Sequence, residues 1–142
     1  MIVTVTLNPS IDRTLRIADL QRGGVNRAEL VRVDAAGKGV NVSRALAAYG
    51  ADTHAVMVGA ELGSEWMSEQ LSAQGIAHSI VMAQGVTRSN LTLIEADGTM
   101  TKLNEPGVSM TPEILAAVEG ALDSLSLHNK TVVDRKSTRL NS

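Results

Sequence analysis

The residues of this 142-residue chain that could bind a small molecule centre on the run AAGKGVNVSRALAAYG at residues 35–50. Gly37, Lys38 and Gly39 precede a helical pattern, and Asn41 lies in its first turn. Glycines let a backbone approach a ligand closely, and a helix start presents N–H groups that lack helical partners. Such a loop can hold sugar hydroxyls as readily as phosphate oxygens. By itself it is equally compatible with a tight turn that leaves Lys38 in solvent.

This glycine run does not fit the common nucleotide-phosphate loops. A Walker A loop needs a glycine five positions before its Gly-Lys pair and Ser or Thr after it, but Arg32 and Gly39 occupy those positions here. A dinucleotide fingerprint needs the pattern Gly-x-Gly-x-x-Gly, and the third glycine is absent from this run. The loop therefore predicts a ligand other than a nucleotide phosphate held in either standard way.

Three charged residues are candidates for the same site. Asp12 follows the strand-like run IVTVTLN and Pro9, near where ligands gather at the carboxyl ends of parallel strands. Its carboxylate could accept hydrogen bonds from two neighbouring hydroxyls, or simply cap the turn after NPS. Arg88 in TRSNLTL and Arg27 in VNRAEL could each bind phosphate through a guanidinium fork, or lie in solvent. The histidines show no metal-ligand spacing: His54, His78 and His128.

Strands and helices that must position these residues alternate along the chain. Apolar, β-branched runs predict buried strands at residues 2–8, 53–60, 76–82 and 131–133. Apolar residues at helical spacing predict helices at 40–49, 63–75 and 111–122. This alternation indicates an α/β fold built around a mostly parallel sheet.

The helical patterns also predict buried faces and capping residues. In the first helix, the predicted apolar face consists of Val42, Ala45, Leu46 and Tyr49. Ser64 is the candidate N-cap of the second helix. Thr111 is the candidate N-cap of the third, where Pro112 occupies the first helical position.

A second, smaller sheet is predicted from the remaining strand-like runs. Asp97-Gly98 separates two such runs in NLTLIEADGTMTKLN, which is a hairpin signal. TLRIADL and RAELVRV are short, alternate polar with apolar residues, and are expected to join that hairpin. We expect these segments, at about 14–34 and 88–104, to form a small antiparallel lid.

Composition excludes several classes of function. The only aromatic residues are Tyr49 and Trp66, and the net charge is −2, which argues against a nucleic-acid partner. The absence of cysteine excludes disulfides and thiolate metal sites and suits a reducing compartment. No run approaches the roughly 20 apolar residues that span a bilayer, and no signal-peptide pattern opens the chain. We therefore expect a cytoplasmic protein with no membrane partner.

Four motifs occur in order: TLNPSID, AAGKGVNVSRALAAYG, TRSNLTL and NEPG. Together they resemble the PfkB (ribokinase-like) carbohydrate kinases, and in particular the branch of 1-phosphofructokinases and tagatose-6-phosphate kinases. The resemblance covers residues 1–133. It implies a ribokinase-like α/β fold, in which a small β lid covers the substrate and a mostly parallel central sheet is flanked by helices.

The resemblance also implies a set of substrate-binding residues: Asp12, Arg27, Gly37, Lys38, Gly39, Asn41, Arg88 and Asn90. Asp12 would bind sugar hydroxyls, and Arg27 would lie against the phosphate of the sugar. The glycine run matches the GGKGxN stretch of the family, except that Ala36 replaces its first glycine. Arg88 and Asn90 match the TRxN segment.

The activity implied by the resemblance is transfer of the γ-phosphoryl group of ATP, with Mg²⁺, to a ketohexose phosphate. Fructose 1-phosphate giving fructose 1,6-bisphosphate is the expected reaction. The family's GSLP segment and its GAGD motif, which carries the catalytic Asp, do not occur here. We therefore expect the C-terminal half of the family's fold to be missing. We also expect the chain to contain no catalytic or metal-binding residue and to be inactive alone. Residues 134–142 are expected to be a polar tail foreign to the family.

Two further expectations concern what the chain binds. A homodimer formed through the lid is expected, in addition to the small sugar phosphate. The alternative to an enzyme half is a non-catalytic module that binds a sugar phosphate.

Overall fold

The computed structural model describes residues 1–125 and 131–134. In chain order the elements are β1 Ile2–Thr6, β2 Ser10–Arg16, β3 Glu29–Ala36, α1 Lys38–Ala48, β4 Thr53–Leu62, α2 Ser64–Ala73, β5 Ala77–Val86, β6 Ser89–Ile94, β7 Met100–Asn104, α3 Pro112–Ser124 and β8 Thr131–Asp134. No helix in these ranges is long and apolar enough to cross a membrane. The tail predicted at 134–142 lies outside the described residues from 135 onward.

The central sheet is parallel throughout, with strand order β5-β4-β1-β8. Its inner strands β1 and β4 are rich in valine and alanine and are buried on both faces, as the continuous apolar runs predicted. On one face, α1 and α2 contribute Val40, Met67 and Leu71 to a core around Met57. On the other face, Val118 of α3 packs in a cluster with valines of β1 and β4. The predicted α/β fold is confirmed.

A second sheet with strand order β3-β2-β6-β7 forms the predicted lid. The β2–β3 and β6–β7 pairs are antiparallel, whereas β2 and β6 run parallel to each other. The turn between β6 and β7 is at Asp97-Gly98, as predicted, and the Thr99 N–H donates to Asp97 Oδ1 at 2.8 Å. That hydrogen bond stabilises the carboxylate and lowers the pKa of Asp97.

The predicted apolar face of α1 is wrong. Tyr49 is 92% exposed, and the side of α1 that faces the sheet carries Val40 and Ser43 instead. Ser43 can be buried because its hydroxyl hydrogen-bonds to Thr4 Oγ1 at 2.7 Å and to Thr53 Oγ1 at 2.8 Å. A hydroxyl with two partners carries little desolvation cost, so a polar residue occupies a position that periodicity assigned to solvent.

The predicted N-cap of α2 is also wrong, whereas that of α3 is confirmed. Ser64 is the first residue of α2, and Gly63 precedes it with φ 104°. A Cβ at Gly63 would lie 2.9 Å from the Thr87 side chain, so this position favours glycine over a capping residue. In α3 the Ile114 N–H donates to the Thr111 hydroxyl at 3.3 Å, and Pro112 is in the first turn.

Candidate functional site

The glycine loop packs directly on the end of β1. Gly37 has φ 142°, and a Cβ there would lie 2.5 Å from Thr6 Cγ2. A Cβ at Gly39 would lie 2.5 Å from the carbonyl oxygen of Val5. The Thr6 hydroxyl accepts a hydrogen bond from the Val40 N–H at 3.0 Å, which satisfies one donor of the first turn of α1. Both glycines are therefore required for close packing of the loop on β1.

Asp12 lies on β2 between two hydrogen-bond donors. Its Oδ1 accepts from Ser10 Oγ at 2.6 Å and from Asn90 Nδ2 at 3.1 Å. Ser10 pairs with Ala36 across β2 and β3, and Ala36 directly precedes Gly37. Asp12, Asn90 and the glycine loop thus lie at one end of the lid, where the lid joins the central sheet.

A polar row crosses the whole lid at the level of Asp12. The strand register pairs Asp34 with Asp12, Asp12 with Asn90, and Asn90 with Asn104. Residues paired across adjacent strands share a face, so these four side chains point to the same side of the lid. Within the described ranges, Asn90 Oδ1 is buried without a hydrogen-bond partner. Arg32 forms an ion pair with Asp34, with Nε 2.5 Å from Oδ2.

Arg88 is anchored to the loop that follows β1. Its Nε donates to the Pro9 carbonyl at 3.3 Å, and its terminal nitrogen donates to the Asn8 carbonyl at 3.1 Å. The side chain is part-buried, so the sequence alternative of a solvated surface charge does not describe it. The NEPG segment closes over the same loop, because the Asn8 amide donates to the Pro106 carbonyl at 3.2 Å. A Cβ at Gly107 would overlap that amide.

A cavity of about 10 Å³ lies beside this anchor, at the ends of β1 and β4. It is large enough for about one water molecule. The buried Thr87 hydroxyl, which has no hydrogen-bond partner among the described residues, lines it together with Asn8 and Arg88. The cavity therefore places the Thr87 hydroxyl beside the Asn8 and Arg88 side chains at the carboxyl ends of the central strands.

Arg27 is the one predicted residue that the fold separates from the others. It is exposed in the connection between β2 and β3, next to the pair Arg16–Glu29 at the far end of the two strands. Four residues of β2, about 13 Å, separate that end from Asp12. Contact of Arg27 with a ligand at Asp12 is therefore not supported within one chain.

Lys38 and Asn41 lie in the first turn of α1, and both are exposed. The Asn41 N–H donates to the Gly37 carbonyl at 2.8 Å and starts the hydrogen-bond pattern of the helix. The Asn41 side-chain oxygen accepts from Arg44 at 2.8 Å. The fold therefore brings five of the predicted features together around one end of the lid: the glycine loop, Asn41, Asp12, Asn90 and Arg88.

Several residues of this site were not singled out from the sequence. Both Thr6 and Ser10 lie in the motif TVTLNPS; Thr6 is two residues before Asn8, and Ser10 is two residues before Asp12. A β2 strand predicted to begin at Ser10 would have placed Ser10 and Asp12 on one face, since side chains alternate along a strand. Asp34 and Asn104 join the row only through strand register, for which the sequence has no local signal.

Within 1–125 and 131–134, no group of three or more His, Cys, Asp or Glu side chains is arranged to hold a metal ion. Asp12 and Asp34 are opposite each other across β2 and β3 but have no third acidic neighbour in the polar row.

Comparisons with a family profile and with individual protein sequences point to the same family. The sequence profile of the pfkB family carbohydrate kinases matches residues 5–122. A 1-phosphofructokinase of Xanthomonas campestris is 40% identical over 126 residues, which are 87% of this chain and 38% of that protein. The chain thus spans less than half the length of this curated relative.

Solved structures agree in fold. A putative phosphofructokinase from Staphylococcus aureus superposes with a TM-score of 0.84 at 28% identity, over 97% of this chain and 44% of that one. The tetrameric inhibited form of phosphofructokinase-2 from Escherichia coli gives a TM-score of 0.84 at 25% identity, over 94% of this chain and 44% of that one.

Proposed function

The chain belongs to the pfkB family of carbohydrate kinases, and from this premise we propose that it binds a ketohexose phosphate as the sugar-binding part of a phosphotransferase. Fructose 1-phosphate is the proposed substrate, with ATP as the phosphoryl donor and fructose 1,6-bisphosphate as the product. The name of the Xanthomonas relative supports this choice of substrate. We place the reaction in the cytoplasm, because a chain without cysteine suits a reducing compartment.

The observation that carries the proposal is the position of the Asp12 carboxylate beside the glycine loop. Ser10 and Asn90 donate to one oxygen of Asp12, so the lone pairs of its other oxygen can accept from sugar hydroxyls. In this proposal the phosphate of the sugar is bound by two cations, the part-buried guanidinium of Arg88 and the exposed ammonium of Lys38. Hydrogen bonds between such cations and a phosphate are charge-assisted and therefore strong. ATP and Mg²⁺ are not assigned to the described residues.

Binding of the sugar phosphate is tested by calorimetric titration of the chain with fructose 1-phosphate, fructose 6-phosphate and inorganic phosphate. We expect fructose 1-phosphate to bind most tightly and to raise the midpoint of thermal unfolding. A ligand present at 100 times its dissociation constant stabilises the folded state by about 2.7 kcal/mol. No heat and no thermal shift with any of the three ligands would reject the proposal.

We further propose that the 142 residues do not transfer phosphoryl groups by themselves. The sequence-based argument is that the family's GAGD motif is not among them. A coupled assay for ADP release, with fructose 1-phosphate, ATP and magnesium, is expected to give only background turnover. Turnover well above background would show that these residues contain a complete site. Tight ligand-specific binding with a single cooperative unfolding transition and no turnover would favour the alternative, a non-catalytic binding module.

We also propose that two copies associate through the lid, on the face opposite the polar row. The register pairs Val33 with Arg13, Arg13 with Leu91, and Leu91 with Leu103, which places three apolar side chains in one row on that face. Leu103 is 53% exposed. An apolar row that is exposed at Leu103 and half-buried at Val33 and Leu91 favours burial against a second apolar surface. The related phosphofructokinase-2 is described as tetrameric.

Replacing Leu103 by glutamate is expected to convert a dimer to a monomer in sedimentation velocity, because a charge would be buried against the partner lid. The matched control is Leu115→Glu on α3, since Leu115 is also exposed but lies outside the lid. If the unsubstituted chain sediments as a monomer at high micromolar concentration, association through the lid is rejected.

A further inference from the structure

We infer that Arg44 is a positioning residue, which fixes the Asn41 amide so that its NH₂ group faces the ligand. This inference rests on the proposed sugar-phosphate site and deepens it. It concerns a residue within the run at residues 35–50 that the motif match did not assign to the ligand.

One guanidinium group joins three separate segments around the glycine loop. Arg44 donates to Asn41 Oδ1 at 2.8 Å, through Nε to Gln74 Oε1 at 2.8 Å, and through a terminal nitrogen to the Ala35 carbonyl. Ala35 is near the end of β3, two residues before Gly37, and Gln74 is the C-cap residue of α2. Arg44 therefore spans the loop, from the last residues of the lid strand to the first turn of α1.

The contact with Asn41 determines which half of the amide remains for a ligand. A guanidinium carries only N–H donors, so it donates to the carbonyl oxygen of the amide and cannot pair with the NH₂ group. With Oδ1 bound to Arg44, the Asn41 Nδ2 group is the half that can interact elsewhere. Asn41 then acts as a donor and selects a ligand oxygen that accepts, such as a sugar ether oxygen, a hydroxyl oxygen or a phosphate oxygen.

The contact with Ala35 has a second consequence for the loop. The backbone between Ala35 and Asn41 includes both glycines, which have more conformational freedom than other residues when the chain is not constrained. Anchoring the residues on each side of the glycines reduces the number of loop conformations that must be lost when a ligand binds. Lysine at this position could not replace arginine fully, because an ammonium lacks the planar fork that reaches three acceptors.

The experiment is a double-mutant cycle on the binding of fructose 1-phosphate by the full chain, measured by calorimetry. Arg44→Ala and Asn41→Ala are each expected to weaken binding about tenfold. Because Arg44 acts partly through Asn41, the double variant is expected to lose less affinity than the sum of the two single losses. Arg22→Ala is the control for loss of a positive charge, since Arg22 is exposed in the β2–β3 connection. A purely structural role for Arg44 would instead give additive losses.

A second measurement needs no ligand. In a proton–nitrogen correlation spectrum, the chemical shifts of the two Asn41 Nδ2 protons are expected to change in Arg44→Ala. In Gln74→Ala, which leaves the Arg44–Asn41 contact in place, these chemical shifts are expected to stay the same. Unchanged Asn41 signals in Arg44→Ala would overturn the inference. Failure of the unsubstituted chain to bind any sugar phosphate would reject the proposed function, and the positioning role with it. Binding by the unsubstituted chain that Arg44→Ala leaves unaltered rejects the positioning role alone.

Discussion

Gly39→Ala is expected to lower the free energy of unfolding by about 3 kcal/mol, because a methyl group has no space at this position. The added Cβ would lie 2.5 Å from the Val5 carbonyl oxygen and 2.9 Å from the Val5 carbonyl carbon. Both are backbone atoms of a buried central strand, so neither can rotate away. The change is measured by urea unfolding, from the shift of the midpoint at constant slope.

Gly120→Ala is the matched control for this substitution. Gly120 lies within α3, and a Cβ there meets no atom within 4 Å. Because alanine favours the helix over glycine, we expect this variant to be about 0.5–1 kcal/mol more stable. Shortening the side chain of Thr6 to serine should not rescue Gly39→Ala, since the Val5 backbone remains in contact. A Gly39→Ala variant as stable as the unsubstituted chain would show that α1 can move away from β1.

The fold follows largely from local patterns in the sequence. The continuous apolar runs of β1 and β4 and the Thr111–Pro112 start of α3 are short-range signals, and the structure has each of them where predicted. The Asp97-Gly98 hairpin is a signal of the same kind. In each case the residues that specify the element lie within the element or directly beside it.

The errors arise where a distant contact changes the environment of a residue. Ser43 is buried because Thr4 and Thr53, on two different strands, satisfy its hydroxyl. Tyr49 is exposed although its spacing fits an apolar face, because α1 turns the Val40–Ser43 side toward the sheet. Periodicity weighs each residue by its own polarity and cannot include a partner that is brought near only by folding.

The candidate site likewise contains some residues that local sequence predicted and others that only the tertiary structure brings together. Asp12 and the glycine loop were predicted from residue type and position, and the β2–β3 pairing places them at one end of the lid. The alignment of Asp34 and Asn104 with Asp12 depends on register across three strand pairs. The bridge from Arg44 to Ala35 depends on the angle at which α1 leaves β3. Neither relation has a counterpart in local sequence, and both require the tertiary structure.

Asp12→Ala is expected to weaken the binding of fructose 1-phosphate by at least about 100-fold. A carboxylate that accepts from two sugar hydroxyls makes two charge-assisted hydrogen bonds, each contributing about 1.5–3 kcal/mol. The alanine side chain has no acceptor atom, so the two desolvated sugar hydroxyls would lack partners in the bound state. The dissociation constant is measured by calorimetry at constant ionic strength, because the ligand is an anion and its affinity depends on salt.

The fold itself should tolerate this substitution. Loss of Asp12 removes the acceptor for Ser10 and Asn90, but it also removes a carboxylate directly opposite Asp34, and like charges in that arrangement are destabilising. These effects oppose each other, so we expect the free energy of unfolding to change by less than about 1 kcal/mol. Asp123→Ala removes an exposed carboxylate from α3 and should leave the affinity unchanged. Equal affinities for Asp12→Ala and the unsubstituted chain would mean that the sugar binds elsewhere.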